Sequence, residues 1–450
     1  MEFMFSEKGT KLLIIDNYKF GFQKNLADNI QRWICTKRKC KAYVKLNGDC
    51  LCEEVLTHNH ESENDGTLVR QQLTNSLKRK CDELITERPS KIIRKEIASN
   101  SHSESLLQND INRVRKNLNA AKLRTIPKLP SNLEELHKSV SEYSLITNLG
   151  ENFIYDNDSV NNIITFTCTQ NLEQLKKATT VFVDGTFKSC PKQFYQLFSI
   201  FIKVQNSYVP VVFSLLPNKT TDTYILALHK VAKYLTVGTV FVDFETAIHS
   251  AITSQLQQVT VRGCRFHLCQ SWWRKIQQFG LSNEFKDNAS EIEQLLKLFF
   301  GLPLLSPEDV EDCFYNDLMA IKPYCPKLDQ FFDYVHDTYI MSDSIFPPKI
   351  WARFDKNIDR TTNCCESFHS KLNKEFTTAH PNIFYFMETL NSIQTLNYIK
   401  FRSNNTRKLT SKQEKNNKFL ENCMTEYTNE KLTRIEYLKK VCFKFANQRF

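Results

Sequence analysis

The sequence predicts an α/β protein: a sheet flanked by helices, a long helical insertion, a helical C-terminal region and a small β-rich module at the N-terminus. Three observations carry this. Apolar, β-branched runs recur between about Phe153 and Phe279, and such runs make buried strands. Apolar residues fall at 3.6-residue spacing through most of the chain after about Gln270, which is the pattern of amphipathic helices. Short alternating segments up to about Ser62 end in a cluster of Cys and His.

Composition bounds the rest. The chain has 450 residues, 41% of them hydrophobic, enough for two or three domains with buried cores. Ten glycines exclude a collagen-like or Gly-rich architecture. Lys plus Arg exceed Asp plus Glu by 60 to 50, a net charge of +10, which suits a polyanionic partner. Fifteen cysteines, an odd number, run from Cys35 to Cys442, and Glu2, Glu7 and Lys8 interrupt any N-terminal apolar segment. The expectation is a reduced, intracellular protein whose clustered Cys and His are metal ligands. The most apolar stretch, Phe194–Pro217, contains Lys203, Gln205 and Asn206, so no membrane span is expected.

Residues 1–62 alternate at Thr10–Ile15 and Tyr18–Phe22, with turns at Lys8-Gly9 and Asn47-Gly48, and predict short strands. Residues 63–147 are polar and basic and read as a partly helical linker. Lys78-Arg79-Lys80 and Lys91-Ile92-Ile93-Arg94-Lys95 lie ten residues apart, the spacing of a bipartite nuclear import signal, and Pro127 and Pro130 close the region. Residues 148–390 hold the main fold. Thr180–Asp184, Phe194–Lys203 and Tyr208–Leu216 predict three strands, Asp222–Leu235 a helix, Gly238–Asp243 a strand, Ala247–Leu256 a helix and Val259–Val261 a strand. Helical periodicity then marks Lys286–Phe300, Pro307–Ala320, Leu328–Ile340, Cys364–Phe376 and Ile383–Tyr398. Residues 391–450 read as a basic helical tail.

Cys35 and Cys40 are separated by four residues, and His58 and His60 flank a single residue. Close ligand pairs joined by a longer loop are the usual way to hold a tetrahedral zinc ion. Residues separated by a single residue share a face on an extended chain but not on a helix, so the site belongs to a β-rich module. Cys50 and Cys52 are alternative ligands. The segment resembles the FLYWCH zinc-finger family through Phe5-Ser6-x-Lys8-Gly9, Leu12-Leu13, Tyr18-Lys19-Phe20, Trp33-x-Cys35, Cys40-x-Ala42 and His58-Asn59-His60. The resemblance implies a structural zinc and a role in binding DNA or protein.

Asp184 and Asp243 each end a Val-Phe-Val run. On neighbouring strands they would converge at one sheet edge, where carboxylates hold hard cations such as Mg²⁺ through oxygen. A third carboxylate is required; Glu366, opening a helix, is the candidate, with Glu245 behind it. Cys264 and His267 offer an incomplete metal pair that would need Cys269 or His369. Trp272-Trp273-Arg274-Lys275 suit base stacking with phosphate pairing, or a core-facing aromatic beside exposed cations.

The order of strands and acids resembles the RNase H-like core of DDE transposases, and in detail the Mutator-like (MULE) family. Asp184-Gly185-Thr186-Phe187, the helix led by Thr221 and Asp222, Asp243-x-Glu245, Cys264-x-x-His267 and Asn363-x-x-Glu366-x-x-His369 carry it, over roughly residues 151–390. It implies a Mg²⁺ or Mn²⁺ site of Asp184, Asp243 and Glu366, with a helical insertion at about 271–351. The expected function is a DNA transposase that cuts and joins phosphodiesters at element ends and target, or a descendant that kept DNA binding and lost catalysis. DNA contacts are assigned to Lys78, Arg79, Lys80, Arg274 and Lys275. A nuclear location and a homo-oligomer are further expectations.

Overall fold

A computed structural model describes residues 1–6, 8–79, 87, 89–99, 106–205, 207–256, 258–287, 290–355, 363–376, 378–403 and 410–445. The chain forms two units, Met1–Leu129 and Pro130–Phe450.

The first unit opens with a six-stranded antiparallel meander in sequence order. Its strands are β1 (Glu2–Phe5), β2 (Lys11–Ile15), β3 (Tyr18–Asn25), β4 (Ile30–Cys35), β5 (Tyr43–Asn47) and β6 (Cys50–Val55). Gly9 and Gly48 take φ of +81° and +60° at two of its turns, a conformation that glycine adopts without a Cβ penalty. Alternation sorts the side chains. Leu13, Phe20, Trp33, Val44 and Leu46 bury on one face; Met4, Leu12 and Ile14 bury on the other, beneath Leu68. Leu68 belongs to α1 (Asp65–Arg79), which is followed by α2 (Pro89–Ser99) and α3 (Gln108–Thr125). The predicted linker is thus a packed layer of three helices. Leu73, Leu77, Ile92, Ile93, Val114 and Leu118 make its core. Each helix contributes only a narrow apolar stripe, so mean composition concealed it.

The second unit begins with α4 (Leu133–Glu142), β7 (Ile154–Asp158), β8 (Ile163–Phe166) and α5 (Thr169–Lys177). The predicted strands and helices follow as β9 (Thr180–Thr186), β10 (Gln196–Val204), β11 (Ser207–Leu216), α6 (Thr221–His229), β12 (Thr239–Val242), α7 (Thr246–Gln255) and β13 (Thr260–Gly263). Leu136 and Val140 of α4 are fully buried, so the division falls at the Pro127–Pro130 break rather than at residue 147. The sheet order is β13-β12-β9-β10-β11-β8-β7. β9, β10 and β11 are antiparallel, whereas β12 and β13 run parallel to β9.

The remaining helices are α8 (Arg265–Gln278), α9 (Glu291–Phe299), α10 (Pro307–Asp312), α11 (Pro326–Val335), α12 (Pro348–Trp351), α13 (Asn363–Glu375), α14 (Ile383–Arg402), α15 (Ser411–Thr428) and α16 (Arg434–Phe445). The two sheet faces bury different helices. Val181, Val183, Val240 and Val242 point to α6 and α7, where Tyr224, Leu228, Ile248 and Ile252 meet them. Phe182, Phe201 and Phe241 point the other way, to Cys365 of α13. A separate helical core centres on Trp272, with Phe299, Phe332 and Trp351. Met424, Tyr437, Leu438 and Val441 join it. The stretch expected as a basic tail therefore closes the core of the insertion, and α14 runs across residue 390.

Candidate functional site

In the first unit, β4 delivers Cys35, a turn with Lys39 at φ +73° delivers Cys40, and the chain beyond β6 returns with His58 and His60. Cys35 Sγ lies 3.2 Å from His60 Nε2, and Cys40 Sγ lies 3.4 Å from His58 Nδ1. All four ligand atoms fall within 4.8 Å of one another. Around a tetrahedral zinc a sulfur and a nitrogen stand about 3.6 Å apart, so the cluster fits. Tyr18 stacks on the His58 ring, centroids 3.6 Å apart. Burial, aided by His60, holds the His58 pKa below its ordinary value, which favours the neutral, ligating imidazole. Burial opposes ionisation of Cys40, but the backbone N–H groups of Ala42 and Asn59, together with the Cys35 and His60 side chains, lower that thiol's pKa. Cys50 and Cys52 are exposed on β6 and stand outside the cluster.

In the second unit the two aspartates are set by strand register. Thr180, Val181 and Phe182 of β9 pair with Thr239, Val240 and Phe241 of β12. Asp184 lies two residues beyond Phe182 on β9, and Asp243 lies two beyond Phe241, just past the end of β12; the charge of Asp184 reaches Asp243. Their parity is that of Phe182 and Phe241, so both lie on the face covered by α13. That helix brings Glu366 and His369 to the same face, one turn apart.

Two imidazoles hold these acids. His369 Nδ1 is 3.2 Å from Asp184 Oδ2, both side chains nearly buried, and the Gly185 N–H donates to Asp184 Oδ1 at 2.9 Å. His267 Nε2 is 3.1 Å from Glu366 Oε1, across 99 residues of sequence. Burial disfavours the His267 cation, but bonds to Cys264 and Glu366, with the charge of Asp184, raise its pKa to about 11. Burial pushes the Asp243 carboxyl up to about 6; Glu245 and Asp184 add to this and His267 opposes it. The acids therefore feel one another. Among the described residues, only the Cys/His cluster brings three or more ligand atoms within 4.8 Å. Asp184 and Glu366 are instead paired with His369 and His267. A hard divalent cation at Asp243 would relieve the repulsion that helps raise its pKa.

Other expectations sort by contact. Cys264 bonds His267, while Cys269 turns into the core beside Trp272 and His369 is engaged by Asp184. The pair positions Glu366 and forms no three-ligand group among the described residues. Glu245 accepts from Lys219 Nζ at 2.7 Å and from the Tyr224 hydroxyl at 3.2 Å; Gln196 donates to that hydroxyl at 2.8 Å. Glu245 is thus committed to a cation of its own. Nothing in the sequence pattern marked Lys219, Tyr224 or Gln196, since their pairing depends on the fold.

A family model of the MULE transposase domain matches residues 180–271, and one of the FLYWCH zinc finger domain matches residues 3–60. The chain joins a FLYWCH zinc finger to a MULE transposase domain. No curated protein matches it. The FLYWCH match contains all four Cys and His ligands. The MULE match contains Asp184, Asp243, Cys264 and His267 and ends before Glu366; Glu366 and His369 lie outside it, on α13.

The aromatic-basic stretch just beyond the MULE match divides by burial. Trp272 is fully buried and Trp273 packs against Phe285, so both tryptophans serve the core. Lys275 lies over the Tyr334 ring at 4.7 Å, and Arg274 is exposed. Lys78 is partly buried near the end of α1. The side chain of Arg79, and Lys80 altogether, lie outside the described residues.

Proposed function

We propose that this chain binds DNA and cuts and joins its phosphodiester bonds, with Asp184, Asp243 and Glu366 holding the divalent ions. The observation that carries this reading is that Asp184 on β9 and Asp243, just past the end of the adjacent parallel strand β12, feel each other's charge beside the helix that bears Glu366. The strand order supports it: three antiparallel strands extended by two parallel ones is the order of an RNase H-like core. Mg²⁺ or Mn²⁺ bound there supplies charge stabilisation to the attacking and leaving oxygens of phosphoryl transfer. The chain's own residues set the geometry. His369 fixes the Asp184 carboxylate, and His267, itself held by Cys264, fixes Glu366. Water attacks the scissile phosphorus at an element end, and the 3′ oxygen leaves as a hydroxyl. That hydroxyl attacks a target phosphodiester in turn, displacing the target's own 3′ oxygen. The FLYWCH unit, closed by zinc, supplies DNA affinity, and the reading places the chain in the nucleus.

The test is nicking of supercoiled plasmid by the full chain with Mg²⁺ or Mn²⁺. Asp184→Asn, Asp243→Asn and Glu366→Gln should each lower the rate by at least about a hundredfold, the scale of losing one transition-state stabiliser. Equal rates in all variants would remove the carboxylates from the chemistry. Tight DNA binding without nicking by the wild-type chain would leave a binding protein on a transposase scaffold.

A further inference from the structure

A cleft of about 390 Å³ opens between α1 and α3, beyond the FLYWCH match. From α1 come Thr67, Arg70, Gln71 and Thr74; from α3 come Arg113, Lys116 and Asn117. Each set falls at helical i, i+3, i+4 spacing, so each is one stripe. Leu73, Leu77, Val114 and Leu118 occupy the buried sides of the same two helices, and this fixes which stripe faces the cleft.

The lining carries three cations and no acid. The neighbouring acid, Asp110, is taken by Arg70, whose Nη1 lies 2.6 Å from its Oδ1. Arg70 is thereby pinned at the wall. Arg113 and Lys116 are exposed and form no ion pair within 4.0 Å among the described residues. The Gln71 carbonyl accepts from Lys19 Nζ at 2.7 Å, which leaves its amide N–H groups as donors. Cations on both walls with neutral donors between them recognise phosphate, and phosphate contacts supply most sequence-independent DNA affinity.

We propose that the α1–α3 cleft grips the sugar-phosphate backbone of duplex DNA, with Arg113 and Lys116 pairing to phosphates and the pinned Arg70 guiding the strand between them. This rests on the DNA-binding reading above and adds a contact surface distinct from the Lys78-Arg79-Lys80 run.

The test uses the full, zinc-loaded chain and a mixed-sequence duplex of about 30 base pairs, with affinity measured across a salt series. Each phosphate contact contributes about 0.9 to the slope of log affinity against log salt. The pair Arg113→Gln and Lys116→Gln should lower that slope by about 2. The pair Arg94→Gln and Arg115→Gln removes the same charge from exposed positions outside the lining and should change it by less than about 0.5. Circular dichroism should show both variants folded. Equal slope changes in the two pairs, or none in the first, would overturn the cleft while leaving DNA binding intact. A wild-type chain with no duplex affinity would overturn both. Tighter, cleft-dependent binding of single-stranded RNA would replace DNA as the occupant.

Discussion

Asp243 leaves a strand of buried apolar residues and keeps its proton up to about pH 6. Its ordinary value is 3.8. Below that value the carboxyl is protonated in both folded and unfolded chains. Between the two values the unfolded chain releases a proton that the folded chain retains, so stability falls as pH rises; above about 6 the whole penalty is present. The shift corresponds to about 3 kcal/mol, an upper figure because the group is only partly buried. Asp243→Asn should therefore raise the thermal midpoint of the metal-free protein at neutral pH, and the gain should vanish below about pH 4. A gain independent of pH, or none, would mean that the carboxyl is not strained. Destabilising charge kept at a site is a mark of function over stability. Both aspartates were legible in the sequence because a strand-then-Asp pattern occurs twice. His267 and His369 also stood out in the sequence, but their pairings did not, since His267 meets Glu366 across 99 residues and no local periodicity encodes such a meeting.

The edge that bears Asp243 depends on close packing of elements. Gly263 ends β13 beside Val242 of β12, and a Cβ there would overlap the Phe244 ring. That ring has little room to yield: Tyr339 and Phe346 meet it edge-on at 5.8 and 5.2 Å. Gly263→Ala should cost about 1–3 kcal/mol by overpacking. Because Phe244 follows Asp243, the same substitution should weaken Mg²⁺ or Mn²⁺ binding, measured by calorimetry. Unchanged stability would show that the insertion helices move freely over this edge. Strands β9 to β13 and most later helices were legible because continuous apolar runs and 3.6-residue stripes are strong signals. β7 and β8 were missed for a physical reason. β7 reads Ile-Tyr-Asp-Asn-Asp, a polar edge strand with a register shift, and β8 has four residues. The helices α1–α3 were read as a linker because each buries only a narrow stripe under a basic surface.

At the scale of the whole chain, each unit has its own means of staying folded. The second buries two large cores, one under the sheet and one around Trp272. The first relies on small clusters above and below the meander and between its helices. Its Cys/His cluster fastens β4 and the following turn to the chain end beyond β6. Zinc binding of this kind is itself folding free energy, about 10–16 kcal/mol in isolated finger peptides. Removing zinc should therefore lower one thermal transition, that of the first unit, and leave the other in place; Cys35→Ser should do the same without a chelator. Mg²⁺ returned after zinc removal should raise only the upper transition, by about 2.7 kcal/mol at a hundredfold excess over its dissociation constant. Asp184→Asn should abolish that rise without touching the lower transition. Scanning calorimetry separates the outcomes. Two transitions that move together under zinc removal would mean that the units melt as one cooperative body, and an Mg²⁺ effect on the lower transition would place the hard-cation site in the wrong half of the chain.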